Sequence, residues 1–295
     1  MRPHEQAAID LALSLPCWSD PEGARLLGGG KTNLNMVLSD QGRRFVVRLG
    51  KDIPEHGVMR WNELAVSRAT HAAGLAPAVH YAEAGVLVLD YVDADPLDEA
   101  GVRDPENLLR IVDLVARIHR DALVYLRGPV LAFWVFHILR DYAATLTARG
   151  SAHSGLLPGL LAQAERLEAM VGPITLVLGH NDLLASNILK GADRLWLIDW
   201  EYAGMNSPLF DLGGLATNNG FSAAQEAAML EAYFGAAPTP SLWRSYEAMK
   251  CASLLRETLW SMVSEITSDI DFDYADYTAA NLTNYRAAFA GLQQF

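Results

Sequence analysis

The residues best suited to do chemistry lie in one segment, between Gly179 and Glu201. Asp182 stands five positions before Asn187, and Asp199 follows a short apolar run farther along. Phosphoryl transfer depends mostly on positioning and charge neutralisation: a carboxylate orients the attacking hydroxyl and takes its proton, and oxygen ligands hold Mg²⁺ on the phosphates. Two carboxylates and an amide can supply this set. We therefore predict Asp182 as a catalytic base and Asn187 and Asp199 as Mg²⁺ ligands.

Each of these acids could instead be a loop or helix-cap residue, which is a common use of Asp. An Asp five positions before an Asn, with a second Asp on the following hairpin, is however the spacing of the protein-kinase catalytic loop and its metal-binding Asp. The combined pattern therefore favours the catalytic interpretation of Asp182 and Asp199. The neighbouring His180, taken alone, could also be a base.

A glycine-rich segment between two strand patterns is the candidate phosphate-binding loop, because glycine lets backbone amides approach phosphate closely. Alone it could equally be an ordinary turn, and it is not a P-loop, since no Gly-Lys-Ser/Thr opens a helix. Its spacing to Arg48 and Glu63 strengthens the interpretation, because protein kinases pair a strand cation with a helix Glu to hold the ATP phosphates. An exposed strand residue is the alternative for Arg48. The predicted nucleotide-binding residues are Gly28, Gly29, Gly30, Thr32, Asn33, Arg48 and Glu63, with main-chain groups of Asp90 and Val92 facing the adenine.

The elements around these residues predict an α+β fold with two lobes. Strand patterns flank the glycine-rich loop, a helical pattern ends at Gly74, and an apolar strand runs from Gly85 to Val92. Pro and acidic residues interrupt both the strand pattern and the helix pattern at 93–97. We therefore predict an amino-terminal nucleotide-binding lobe, residues 1–93, and a mainly helical carboxyl-terminal lobe, residues 94–295. Short strands in the second lobe are predicted at Thr175–Leu178 and Leu195–Ile198.

Composition and charge narrow the possible partners. The net charge of −12 is spread along the chain, which argues against nucleic acid and anionic membranes and suits a small cationic substrate. Cys17 and Cys251 lie far apart without metal spacing, so neither disulfides nor zinc are indicated. The amino terminus lacks a signal-peptide pattern, and the most apolar stretch, Leu131–Leu139, is shorter than the ~20 residues of a membrane span and is predicted as a buried helix. We expect a cytoplasmic protein without membrane insertion.

The motifs resemble those of the choline/ethanolamine kinase family, within the aminoglycoside phosphotransferase and protein-kinase-like superfamily. They are His180–Leu184, Ile198–Gly204 with Asn206, Phe210-Asp211, Leu259–Met262 and Asp271–Tyr277. The resemblance implies a protein-kinase-like fold, with a small β-rich lobe, a larger helical lobe, ATP and Mg²⁺ in the cleft, and an arginine at the position of Arg48. It also implies that His180 braces the catalytic loop and that Asp211 orders it through backbone hydrogen bonds.

Substrate recognition is expected in the second lobe, where that family holds an ammonium group among aromatic and acidic side chains. Tyr202, Trp260 and Tyr277 match pocket positions of the family, although each alone could be ordinary core. Two positions differ: Asn218 stands where the family commonly has a carboxylate, and Glu257 where it commonly has a second tryptophan. We predict that Glu257 supplies the anionic wall of the pocket and that the acceptor is an amine able to donate hydrogen bonds.

Choline or ethanolamine is the expected acceptor of the γ-phosphoryl group. An aminoglycoside, thiamine or another amine-bearing alcohol is the alternative that the altered pocket leaves open. A non-catalytic pseudokinase that binds a ligand or partner is the alternative of another class, but Asp182, Asn187 and Asp199 are all present. The sequence leaves the oligomeric state open.

Overall fold

An antiparallel sheet and two helices form the amino-terminal part of the computed structural model, which describes residues 3–28, 33–268, 270 and 272–292. The elements are α1 (Pro3–Leu13), β1 (Pro21–Leu27), β2 (Leu34–Asp40), β3 (Arg43–Leu49), α2 (Arg60–Ala72), β4 (Val79–Glu83) and β5 (Val86–Asp90). The strands lie in the order β1-β2-β3-β5-β4, and every neighbouring pair is antiparallel.

The hairpin that joins β2 and β3 positions the predicted phosphate-binding arginine. Gln41 and Gly42 form its two-residue loop with φ of 49° and 75°, a positive-φ pair that matches the twist of the flanking strands. Along β3, Phe45 and Val47 are buried in a small hydrophobic core shared with α1. Because successive strand residues point to opposite faces, Arg48 lies on the other face, where it meets α2.

The rest of the chain is mainly helical. Its helices are α3 (Glu99–Arg103), α4 (Pro105–Arg117), α5 (Leu123–Tyr125), α6 (Val135–Ala148), α7 (Leu157–Val171), α8 (Pro208–Asn218), α9 (Ala223–Phe234), α10 (Pro240–Thr267) and α11 (Tyr274–Leu292). Its short strands are β6 (Asp95–Pro96), β7 (Val177–Gly179), β8 (Ile188–Lys190), β9 (Leu195–Leu197) and β10 (Gly204–Asn206). Strands β6, β8 and β9 form one sheet, and β7 pairs with β10. The two-part α+β organisation expected from the sequence is the one observed.

The central helix of this part is α10, which is buried along most of its 28 residues. Thr239 caps its first turn by accepting a hydrogen bond from the Leu242 amide, and Pro240 occupies the first helical position. The helix packs against α6, α7, α8 and α11. Helix α8 approaches it most closely at Gly213, where a Cβ atom would lie 2.8 Å from the Lys250 Cα. Glycine is needed at that position because any side chain would separate the two helices.

The larger hydrophobic core crosses the predicted lobe boundary. It includes Val58, Val66 and Leu75, which lie in or beside α2, together with the carboxyl-terminal helices. Helix α2 therefore packs on the larger lobe while it also contacts β4 of the sheet. At the boundary itself, β6 pairs with β8. The division near residue 93 stays a prediction.

The predicted helix over Leu131–Leu139 is wrong in its first half. Helix α6 begins at Val135, and the four residues before it are extended. The Leu131 amide donates to Asn62 Oδ1 at 3.0 Å, and the Leu131 carbonyl accepts from the Met205 amide at 2.8 Å. These contacts satisfy the backbone of a partly buried segment without helical hydrogen bonds. No helix of the described ranges is long and apolar enough to cross a membrane.

Candidate active site

The loop between β7 and β8, residues 180–187, carries Asp182 and is ordered by a buried carboxylate. Asp211, in the first turn of α8, accepts hydrogen bonds from the His180 amide at 2.8 Å and the Asn181 amide at 2.7 Å. His119 Nε2 lies 2.9 Å from the same carboxylate. Burial acts to raise the pKa of Asp211, but the hydrogen bond and charge of His119 outweigh it and lower that pKa. An ionised Asp211 thus holds the loop through its backbone, in agreement with the sequence-based expectation.

His180 braces the loop rather than facing a substrate. Its Nε2 lies 2.8 Å from the Ile198 carbonyl, and its Nδ1 accepts a hydrogen bond from the Asp182 amide at 3.3 Å. The ring also packs against Trp200. Burial lowers the pKa of His180, which favours the neutral ring that these two contacts require. Both ring nitrogens are therefore used inside the protein.

The three residues predicted for catalysis and metal binding line one cleft. Asn187 Nδ2 donates to the Asp182 backbone carbonyl at 3.0 Å, which leaves the amide oxygen of Asn187 as the group able to ligate a metal. The Ile198 amide donates to the Asn187 carbonyl, so the segment before Asp199 is tied to the catalytic loop. Asp199 has a φ of 69°, in the left-handed region, which is uncommon for non-glycine residues although Asp adopts it more readily than most.

Arg48 makes the ion pair with Glu63 that the sequence predicts, at 3.1 Å. It also contacts two carboxylates of the larger lobe, Asp199 at 2.8 Å and Glu201 at 3.5 Å. Burial acts to raise the pKa of Asp199, but the charge and hydrogen bond of Arg48 outweigh it, so the pKa of Asp199 is lowered. The Arg48 guanidinium thus joins the sheet, α2 and the segment after β9 at one point.

Two members of this buried ionic cluster were missed by the sequence analysis. Arg60 contacts Glu63 at 2.7 Å and Glu201 at 3.0 Å. The signal for Arg60 was its position three residues before Glu63 on one helical face, and the signal for Glu201 was its position two residues after Asp199. Burial raises the pKa of Glu201, and the Asp199 charge adds to this effect.

The glycine-rich loop is described only at its two ends. Gly29, Gly30 and Thr32 lie outside the described residues, and Gly28 directly follows β1. At the other end, Asn33 is buried, lines the cleft and donates from Nδ2 to Glu201 Oε2 at 2.8 Å. The structure therefore brings Asn33 to Glu201, a member of the ionic cluster around Arg48.

The predicted adenine-binding segment follows β5. The Asp90 amide donates to the Ala78 carbonyl at 2.9 Å, and the Val92 carbonyl accepts from the Ala94 amide at 3.0 Å. These two groups are therefore already engaged within the protein. The prediction narrows to the Asp90 carbonyl and the Val92 amide.

All five residues predicted to bind substrate line the cleft that contains Asp182. They are Tyr202, Asn218, Glu257, Trp260 and Tyr277. Trp260 Nε1 donates to the Tyr202 hydroxyl at 2.9 Å, and the Tyr277 hydroxyl donates to Glu257 Oε1 at 2.7 Å. The aromatic and acidic walls are thus joined by hydrogen bonds. Asn218 is exposed and donates to the Leu183 carbonyl at 3.4 Å, at the rim.

A buried cation beside this pocket was also missed. Arg256 donates from Nη1 to Glu257 Oε2 at 3.0 Å, and its Cζ lies 4.5 Å from the centre of the Tyr202 ring. Burial raises the pKa of Asp182 to about 8; the Arg256 charge opposes this rise, and the Glu257 and Asp199 charges add to it. A cation bound beside Asp182 would favour its carboxylate form.

The cleft continues past Glu257 and Tyr277 into a second open space. Its walls include neutral polar side chains of α8, α10 and α11, namely Thr217, Asn218, Ser253, Asn281 and Asn284. An acceptor larger than a simple amino alcohol could extend into this space.

The residues of the cleft fit Mg²⁺ as it occurs with nucleotides. Within the described part of the chain, no group of three or more His, Cys, Asp or Glu side chains is arranged to hold a metal. Magnesium bound with phosphates uses one or two carboxylates, while waters and phosphate oxygens complete its coordination. Asp199 and Asn187, both oxygen donors beside Asp182, match that smaller requirement.

Comparisons with known proteins give a consistent result. A family model described as choline/ethanolamine kinase matches residues 25–228, more than half of the chain. Protein LicA of Haemophilus influenzae is 26% identical over 274 residues, covering 90% of this chain and 79% of LicA. Ethanolamine kinase 2 of the mouse is 26% identical over 278 residues, covering 84% of this chain and 71% of that protein. The crystal structure of a choline/ethanolamine kinase family protein from Mesorhizobium loti superimposes with a TM-score of 0.78 at 23% identity, covering 98% and 99% of the two chains. The expected kinase-like fold is confirmed.

Proposed function

Because the chain belongs to the choline/ethanolamine kinase family, we propose that it transfers the γ-phosphoryl group of ATP to a small amino alcohol with a protonated amine, in preference to choline. Membership of this family gives the reaction class, a nucleotide-dependent phosphotransferase that acts on an alcohol group. The preferred acceptor and the residue roles are the proposal. The observation that carries it is a single cleft lined by Asp182, Asn187 and Asp199 on one side and by Glu257 and Trp260 on the other.

The roles follow from the positions of the side chains. Asp182 accepts the proton of the acceptor hydroxyl. The backbone amides of His180 and Asn181 hold the catalytic loop in place by donating hydrogen bonds to Asp211. Asn187 and Asp199 would hold Mg²⁺, which neutralises charge on phosphate oxygens when bound. Arg48, oriented by Glu63, is placed to contact phosphate oxygens through its guanidinium.

The preference for a protonated amine rests on Glu257. Its carboxylate faces the cleft and is fixed on one oxygen by Tyr277 and on the other by Arg256. A carboxylate can accept hydrogen bonds from a primary or secondary ammonium, whereas a quaternary ammonium has no N–H to donate. A second aromatic ring at this position would favour the quaternary group instead. Ethanolamine and its singly methylated form are therefore the leading acceptors.

A larger amine-bearing alcohol is the second candidate. The polar space beyond Glu257 and Tyr277 favours it, because it is lined by amides and hydroxyls and lies next to the same base. Aminoglycosides and thiamine are the probes for this candidate. The presence of Asp182, Asn187 and Asp199 in one cleft argues against a pseudokinase.

The test is ADP release with Mg²⁺-ATP over a panel of ethanolamine, its methylated series up to choline, thiamine and aminoglycosides. The Asp182→Ala variant serves as the blank. We expect turnover of ethanolamine to exceed that of choline and to vanish in the blank. Glu257→Gln should reduce the difference in turnover between ethanolamine and choline, because a neutral amide attracts an N–H cation less strongly than a carboxylate does. Equal ethanolamine-to-choline ratios in the wild type and Glu257→Gln would refute the preference, and no turnover of any acceptor would refute the activity.

A further inference from the structure

Arg256 carries a positive charge at a buried position, which costs free energy. It is 4% exposed on α10, and its guanidinium lies 4.5 Å from the Tyr202 ring centre and 5.6 Å from that of Phe133. Its Nε and Nη2 atoms are buried without a hydrogen bond of normal geometry to any described residue. Burying a charge whose donors are not all satisfied costs free energy, and apolar replacement of buried ion pairs is often neutral or stabilising. A buried cation at this position is therefore a candidate for a role in function.

The charge of Arg256 acts on the acceptor side of the cleft. Arg256 donates a hydrogen bond to Glu257, whose own side chain is 29% exposed and lines the cleft, and it also interacts with the buried Tyr142 hydroxyl. The same guanidinium opposes the effect of burial on Asp182 and on Tyr142, whose pKa burial raises to about 12. The rings of Tyr202 and Phe133 also lie against the guanidinium. Because these rings exclude water, the charge of Arg256 is not screened by hydration there.

The balance of charge beside the acceptor can be counted. Three carboxylates line the acceptor side, those of Asp182, Glu257 and Asp211. Arg256 contacts Glu257, and Asp211 contacts His119 and two backbone amides of the catalytic loop. The ion pair cancels the charge of Glu257, so the remaining negative charge beside the acceptor is that of Asp182, whose carboxylate form is favoured when a cation binds next to it. Glu257 can still accept a hydrogen bond, since Arg256 and Tyr277 hold it in one orientation.

We propose that Arg256 is a specificity-determining residue that limits the acceptor to a single positive charge. This inference rests on the proposed function, because it assumes that the acceptor amine lies beside Glu257. An acceptor with one ammonium group matches the net charge of the site. A second ammonium group, placed in the polar space beyond Glu257, meets the buried guanidinium, while the carboxylates of Glu257 and Asp211 that line this space are already engaged with partners inside the protein.

The experiment compares two acceptors that differ by one amino group. Isopropanolamine carries one ammonium group in neutral buffer, and diaminoisopropanol carries a second. Their dissociation constants are measured by calorimetry on the enzyme saturated with Mg²⁺ and a non-hydrolysable ATP analogue, so the result does not depend on turnover. The quantity of interest is the affinity for the dication divided by the affinity for the monocation.

Four variants change the net charge of the site in steps. Arg256→Met removes one positive charge, so the net charge of the site becomes more negative by one unit. The ratio should rise about tenfold, because opposite charges at contact distance attract by more than RT even when partly screened. Glu257→Gln removes one negative charge and should lower the ratio. The double variant, with both changes, restores the wild-type charge and should return the ratio to near the wild-type value. Arg256→Lys keeps the charge and should also stay near it.

The control is Arg140→Met, which removes an arginine from an ion pair with Glu168 at the surface of α6 and should leave the ratio unchanged. A ratio in Arg256→Met equal to that of the wild type would overturn the inference. So would a double variant that resembles Arg256→Met, because the ratio would then depend on packing and not on charge. Wild-type enzyme that binds neither amine would also overturn it. Ethanolamine turnover together with an unchanged ratio would leave the proposed function standing.

Discussion

His56 should make the protein less stable in mild acid, by an amount that the structure allows us to work out. The imidazole lies behind Trp260, which lines the cleft, with the two ring centres 5.1 Å apart. Nδ1 lies 3.3 Å from the Tyr142 hydroxyl, and Nε2 lies 3.1 Å from the Ser264 hydroxyl. Burial, and secondarily the Arg256 charge, lower the pKa of His56 to about 3. The folded protein thus holds a neutral histidine where the unfolded chain has one with an ordinary pKa near 6.5.

The sign follows from proton binding. Between pH 6.5 and 3 the unfolded chain binds the His56 proton and the folded chain does not, so falling pH favours unfolding. The stability that His56 contributes as a neutral group is complete above pH 6.5 and is lost as the pH falls toward 3. At about 1.4 kcal/mol per pH unit, lowering the pH from 6.5 to 5 should cost about 2 kcal/mol. For a chain of 295 residues this is a fall in Tm of about 3 °C.

The assay is urea unfolding at several pH values for the wild type and for His56→Gln. Carboxylates also titrate in this range, but they do so in both proteins, so the difference between the two curves isolates His56. The free energy of unfolding of the variant should fall less steeply with pH, and the two curves should converge by about 2 kcal/mol between pH 6.5 and 5. Parallel curves would refute the reasoning, because they would mean that His56 gains its proton equally in the folded and unfolded states.

Three further results are expected. Gly213→Ala should lower the free energy of unfolding by about 1–3 kcal/mol in urea, because its Cβ would meet the backbone of α10, whereas the control Gly214→Ala, which faces open space, should be neutral or stabilising. Trp260→Phe, which removes the hydrogen bond to Tyr202, should raise the acceptor KM about fivefold with little change in kcat; an equal fall in kcat would contradict a binding role. ATP at a hundred times its Kd should stabilise the protein by about 2.7 kcal/mol with Mg²⁺, and removing Mg²⁺ with EDTA should abolish most of that; equal stabilisation in EDTA would count against the metal-site prediction.

The residues that could be predicted from the sequence are close together in the chain. Asp182, Asn187 and Asp199 lie on one loop and the hairpin after it, so their spacing alone brings them to one end of two strands. The pairing of Arg48 with Glu63 was predictable for a related reason, since a strand followed by a helix that packs on it restricts where the two side chains can meet. Where the connection between two residues is short, their spacing in the sequence restricts how their side chains can meet, and the contact can be predicted.

The residues that were missed meet partners far away in the chain. His56 contacts Ser264 across 208 positions, and Arg60 contacts Glu201 across 141. A chain pattern contains no information on such approaches. Arg256 did leave a signal, because it is a charged residue within a stretch of α10 whose other members are mostly buried. A cation in such a stretch conflicts with burial unless it has a partner, and such conflicts tend to mark functional sites.

The prediction of a helix over Leu131–Leu139 was wrong for a reason that also concerns the cleft. An apolar run of this length fits a buried helix or a buried extended segment equally well, and only its neighbours decide between them. Here the deciding neighbour is Asn62, a fully buried residue whose Oδ1 accepts from the Leu131 amide and whose Nδ2 donates to the Ala203 carbonyl. Asn62 precedes Glu63 on α2, and Ala203 follows Tyr202. One turn of α2 therefore holds both Glu63, the partner of Arg48, and the backbone beside the Tyr202 ring, so a shift of this helix would move both parts of the cleft together.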